Sequence, residues 1–167
     1  MVDHSSKALF KKYSNSCSYF IETGSHEGNT IREVLDFCTI DKVFSCDINL
    51  QRINFCEERF KGDNVELYCL NSPNFLREVL PSIDKKSLFW LDAHGEGGGV
   101  PLFEELDIIK SHTDGNHHIM IDDIPVYFSG KEELLKEKLL EINKDFIVEF
   151  MPIAHHQNDY ICVAYLP

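Results

Sequence analysis

Glu22-Thr23-Gly24-Ser25-His26-Glu27-Gly28 joins a short apolar run to a segment of helical period, and these residues carry the first chemistry of the chain. A strand running straight into a helix is where open α/β folds take nucleotides, because the helix N-terminus offers unpaired N–H groups. Glycine spacing then decides between ligands. A pyrophosphate loop shows GxGxxG, whereas Gly24 and Gly28 stand four apart and Glu22 occupies the strand tip. A carboxylate there repels a dinucleotide and favours a ligand bearing an ammonium group. Asp47 closes the second apolar run 19 residues after Gly28, the spacing at which an acid accepts hydrogen bonds from ribose hydroxyls. Asn71 and Ser72 end the third run, where an amide offers an adenine edge both donor and acceptor. Each residue also has a plainer reading: glycines that only permit a tight turn, and an acid that only sits at the start of the next helix. Together, at the ends of three successive strands on one edge, they and Ser25 of the loop point to an adenosyl ligand.

A second constellation is Trp90-Leu91-Asp92-Ala93-His94 with Ile121-Asp122-Asp123. Two adjacent central strands finishing in three carboxylates concentrate negative charge, and a cation offsets it. Carboxylate oxygens with waters suit Mg²⁺, so Asp92, Asp122 and Asp123 are expected to hold a divalent ion that polarises an acceptor hydroxyl. The alternative is that Asp122 or Asp123 caps the next segment while Asp92 meets only the ligand's amine. His94, beside them, titrates near neutrality and is the candidate general base or metal ligand. His155 and His156 fall in a turn expected at the same edge. His117 and His118 begin the fifth strand at the opposite edge and are expected in solvent. Gly95-Glu96-Gly97-Gly98-Gly99 reads as a mobile lid or a flexible connection.

The elements that position these residues follow from hydrophobic period. Apolar runs at Tyr19–Glu22, Val43–Asp47, Val65–Leu70, Ser87–Leu91 and His118–Ile121 alternate with helical segments, the pattern of βαβ units around a parallel sheet. Ile31, Val34, Leu35 and Cys38 share one helix face, as do Ile53, Cys56 and Phe60, and Leu102, Leu106 and Ile109. A short helix through Phe75, Leu76 and Val79 is stopped by Pro81. Ser129-Gly130-Lys131-Glu132 fits a capping box opening the last helix, which carries Leu135, Leu139 and Ile142. The runs Phe146–Phe150 and Tyr160–Ala164 lie too close for a helical crossover and predict an antiparallel hairpin. Residues 1–16 read as a polar N-terminal arm with an amphipathic piece around Lys7 to Tyr13.

With 167 residues, 43% hydrophobic and 26% charged, the chain is expected to form one domain with a sizeable core. The formal charge of -12 disfavours unaided binding to nucleic acid. Neither a run of about 20 apolar residues nor a signal-peptide layout is seen, so a cytoplasmic protein without membrane contact is expected. Six cysteines without CxxC spacing read as reduced, mostly buried small hydrophobes.

These motifs resemble the class I S-adenosylmethionine-dependent methyltransferases. Glu22 to Gly28 looks like their glycine-rich motif, Asp47 like the ribose-binding acid, and Asn71-Ser72 like the adenine-side motif. Phe89 to His94 and Ile121 to Asp123 look like the fourth- and fifth-strand motifs of metal-dependent O-methyltransferases of the catechol and macrocin types. The resemblance implies a Rossmann-like three-layer α/β/α sandwich with strand order 3-2-1-4-5-7-6 and an antiparallel seventh strand. It also implies S-adenosyl-L-methionine as cofactor, Mg²⁺, and a small-molecule or sugar hydroxyl as acceptor, with Asp92 at the reacting centre and His94 as the substitute candidate for the base. Gly95 stands where the catechol-type pattern has a lysine base. The competing readings are an adenosyl-binding module without turnover and a nicotinamide-dependent oxidoreductase.

Overall fold

Strands buried on both faces need helices above and below them. The computed structural model describes residues 4–93, 100–152 and 160–167. Its strands are β1 (Tyr19–Thr23), β2 (Lys42–Cys46), β3 (Val65–Tyr68), β4 (Ser87–Leu91), β5 (His118–Ile121), β6 (Ile147–Pro152) and β7 (Tyr160–Tyr165). They form one sheet in the order β3-β2-β1-β4-β5-β7-β6. β1 to β5 are mutually parallel, and β7 runs antiparallel to both β5 and β6. The order is the one that the resemblance implied. All five residues of β4 are buried, in keeping with its place near the middle.

Side chains alternate between two cores with the period of two that a strand imposes. On one face, Phe20, Val43, Leu88, Trp90, Met120 and Val163 meet α1 (His4–Ser14), α2 (Asn29–Phe37) and α3 (Leu50–Arg59). On the other, Ile21, Phe44, Phe89, Leu91, Ile119 and Ile121 meet α4 (Ser72–Val79), α5 (Leu102–His112) and α7 (Glu132–Ile142). Between the last two helices lies α6 (Ile124–Tyr127), a single turn opened by Pro125, which the sequence reading did not anticipate. Among the described residues, no helix is long and apolar enough to cross a membrane. The six cysteines are free thiols, four of them buried, while Cys69 is exposed.

Two expectations are corrected. The last helix is capped by Lys131 without a side-chain hydrogen bond, so the capping box at Ser129 is not formed. Gly130 adopts φ +77° and the Lys131 N–H closes a turn onto the Phe128 carbonyl at 2.8 Å, which leaves Ser129 outside the helix. His117 and His118 are each only 6% exposed rather than in solvent. His117 Nδ1 accepts the Ser87 N–H at 3.1 Å, and His118 Nδ1 lies 2.7 Å from the Tyr13 carbonyl. His118 is covered by α1, which is part of the core and not an arm, since Phe10 is fully buried and meets Trp90 edge-on at 4.9 Å, whereas His117 packs edge-on against Phe89 at 5.5 Å. Burial holds both imidazoles below their ordinary pKa.

If α1 is a core element, Phe10→Ala should destabilise the protein by roughly 3–5 kcal/mol, the usual range for an emptied aromatic site. The exposed Lys11→Ala should stay within about 0.5 kcal/mol. Urea unfolding of both variants checks this, and equal stabilities would return the segment to the status of an arm.

Candidate functional site at the strand tips

Sheet pairing continues past the strand ends and fixes the acids there. The Gly24 and Ser25 N–H groups donate to the Cys46 carbonyl at 2.9 and 2.8 Å, and the Asp47 N–H to Tyr68 at 3.1 Å. The Asp92 N–H donates to the Thr23 carbonyl at 3.1 Å, and that of Asp122 to Leu91 at 3.2 Å. Between β1 and β4 the chain has turned from building one half of the sheet to building the other. That switch point is where open α/β sheets leave a crevice at the carboxyl ends of the strands.

Glu22 lies at this crevice, 1% exposed. The Ser45 hydroxyl donates to its Oε2, across the β1–β2 register that pairs Glu22 with Ser45. Burial pushes the Glu22 carboxyl up to about 8; the negative charges of Asp92 and Asp47 add to the rise, and hydrogen bonds from Ser45 and Thr30 oppose it. At neutral pH the group is therefore mostly protonated, and a nearby cation would favour its ionised form.

Asp47 is also buried, and its two oxygens are already engaged. Oδ2 accepts the His26 N–H at 2.9 Å and Oδ1 the Asn49 N–H at 2.8 Å, with Arg52 at 3.7 Å. These bonds hold His26 in a left-handed conformation, φ 47°. The carboxylate is thus pre-oriented, and each oxygen has capacity for a further donor. Gly24, at φ +92°, presses on β4 so closely that a Cβ would lie 2.6 Å from the Asp92 carbonyl oxygen. Gly28, at φ +73°, would place a Cβ 2.5 Å from the Phe60 ring. Both glycines therefore answer to backbone and packing demands of the loop.

Asn71 caps α4, its side-chain oxygen accepting the Asn74 N–H at 3.0 Å. Ser72 is 4% exposed, and its hydroxyl is buried with no hydrogen-bond partner among the described residues. An unsatisfied hydroxyl at a strand tip is a place where a polar ligand atom would be favourable. Ser25 is buried in the loop.

The expected divalent-ion site is not formed: among the described residues no group of three His, Cys, Asp or Glu is arranged to hold a metal. Asp122 Oδ1 instead accepts the Asp123 N–H at 2.9 Å, and Asp123, at φ 56°, occupies the N-cap position of α6. His94, the glycine loop and His155-His156 lie outside the described residues, although the Ile121–Cys162 pairing brings the start of β7 to this same edge. The sequence reading missed Ser45, Thr30 and Arg52. The first depends on register, since the pairing of β1 with β2 is what sets Ser45 opposite Glu22.

The raised value of Glu22 has a consequence for stability. The folded protein keeps a proton that the unfolded chain releases near its ordinary 4.5, so this contribution is full at low pH and is lost as pH rises toward about 8. Glu22→Gln should remove a slope of up to roughly 1.4 kcal/mol per pH unit in that window. Urea unfolding of both proteins across the window measures the difference, and parallel pH profiles would show that Glu22 is ionised in the fold.

No family model and no curated protein matches the chain. Solved structures do. An rRNA methylase from Streptococcus thermophilus is 15% identical with a TM-score of 0.62, covering 100% of this chain and 99% of its own. An S-adenosylhomocysteine-bound methyltransferase from Podospora anserina is 13% identical at a TM-score of 0.67, covering 100% and 80%. A spermidine synthase from Thermotoga maritima is also 13% identical at 0.67, with the chain covering 59% of its length. At such identities the likeness establishes the fold, a Rossmann-like seven-stranded α/β/α sandwich.

Proposed function

We propose that the chain is an S-adenosylmethionine-dependent methyltransferase acting on a hydroxyl of a small molecule or sugar. The observation that supports this is Glu22 and Asp47 buried at the ends of β1 and β2, with the unsatisfied Ser72 hydroxyl opening α4 after β3, beside the β1–β4 switch point. Glu22 would hold the ligand's ammonium group, Asp47 the ribose hydroxyls, and Asn71 and Ser72 the adenine side, with Gly24, Ser25 and Gly28 shaping the loop. When bound, S-adenosylmethionine supplies an electrophilic methyl group on sulfur. Asp92, at the end of β4, lines the approach to it. His94 would accept the acceptor's hydroxyl proton, and positioning would supply most of the remaining rate. No step is routed through a metal ion, because the described carboxylates do not assemble a site for one. The net charge of -12 supports a neutral or cationic acceptor over a nucleic acid.

Calorimetry should detect binding of S-adenosylmethionine or its demethylated product and none of NAD. Asp47→Asn retains one acceptor for the loop and should weaken adenosyl binding by roughly 1–3 kcal/mol. Tight NAD binding without adenosyl binding would overturn the assignment.

Once an acceptor is found, His94→Ala should lower turnover on the order of 10²-fold and leave cofactor affinity nearly unchanged. Unchanged turnover would remove His94 from the mechanism. Adenosyl binding without transfer to any acceptor would make the chain a binding module.

A further inference from the structure

Glu22 is a buried carboxyl that accepts the hydroxyl of Ser45 from another strand, and Ser45 is itself fully buried. A serine at this depth in a parallel sheet is out of character with its surroundings: its neighbours along β2 are Val43, Phe44 and Cys46, all buried. Apolar residues fill such positions, and a polar one there answers to a partner.

Resting on the adenosyl-binding reading above, we infer that Ser45 is a positioning residue that orients the Glu22 carboxylate to receive the cofactor's ammonium group. It touches no ligand in this role. A hydroxyl donating to a carboxylate oxygen restricts the side chain's rotamer, and the carboxylate keeps acceptor capacity to meet a cation. It also stabilises the ionised form, which this environment resists. Asp47 follows β2 and Asp92 follows β4, both adding negative charge near Glu22, while Cys46 on β2 and Cys56 on α3 are thiols held well above their ordinary pKa, chiefly by burial. Arg52 is turned to Asp47 at 3.7 Å. With burial pushing Glu22 up to about 8, the hydroxyls of Ser45 and Thr30 are the groups that oppose the rise. Without Ser45, pairing an ammonium with Glu22 would require ionising a less supported carboxyl, and its proton would be given to solvent at greater cost.

The test compares two ligands that share the adenosine and sulfur and differ in the amino-acid arm. S-adenosylhomocysteine carries the ammonium group and 5′-methylthioadenosine lacks it. Affinities are measured by calorimetry near pH 7 for the wild type, Ser45→Ala, Ser45→Cys and Glu22→Gln. Ser45→Cys keeps the volume with a weak donor, so it reports even if the alanine variant fails to fold. Ser45→Ala should weaken S-adenosylhomocysteine on the order of tenfold or more, with the same sense and smaller size in Ser45→Cys. Binding of 5′-methylthioadenosine should change less than about threefold in both. Glu22→Gln should show the same split, and adding Ser45→Ala to it should have little further effect on either ligand, since the two act as one unit. Equal loss for both ligands, or no loss for either, would mean that Ser45 only supports packing and would overturn the inference with adenosyl binding intact. Failure of the wild type to bind either ligand would overturn the functional reading, and the role of Ser45 with it.

Discussion

The site depends on the continuation of peptide pairing beyond the strands. Four parallel strands end within a residue of one another, and the first N–H past each end still donates to its neighbour's carbonyl. Those bonds hold Gly24, Asp47, Asp92 and Asp122 by their main chains, so the positions of the acids do not rely on side-chain contacts. The crevice is therefore built before any ligand arrives, and a preorganised charge distribution is worth more than one assembled on binding.

That rigidity concentrates like charge. The negative charges of Asp92 and Asp47 act on Glu22, and the fold surrounds Glu22 and Asp47 differently. Asp47 is satisfied by two backbone N–H groups and Arg52. Glu22 has two hydroxyls and is held neutral. Two carboxyls on neighbouring strands thus meet different partners, backbone N–H groups and an arginine for Asp47 and hydroxyls in a buried setting for Glu22.

Much of the architecture was legible from period alone. β4 reads as an unbroken apolar run because both its faces are covered, and α2 reads as amphipathic because only one of its faces is. The hairpin of β6 and β7 followed from the short connection between them. Less legible were the places where long-range packing overrules a local pattern. Residues 1–16 read as a polar arm with an amphipathic piece until Phe10 is seen against Trp90, and His118 reads as solvent-facing until α1 covers it, as His117 does until it is seen against Ser87 and Phe89. The Ser129 box has the right spacing, yet a turn through Gly130 delays the helix by two residues.

By itself the sequence determined which residues stand at strand tips, because a strand ends where its apolar run ends, and so it determined that Glu22, Asp47, Asn71-Ser72, Asp92 and Asp122 share one edge. Only the tertiary structure decided what each of them does there. Register set Ser45 against Glu22, since which residues face one another across two parallel strands depends on pairing that no single run encodes. The Asp122 carboxylate accepts the Asp123 N–H and Asp123 takes the N-cap position of α6, and among the described residues the three carboxylates that spacing suggested are not grouped to hold a metal. Sequence position is a one-dimensional property that survives folding, whereas the state of a buried carboxyl is set by charges and donors brought to it from other strands.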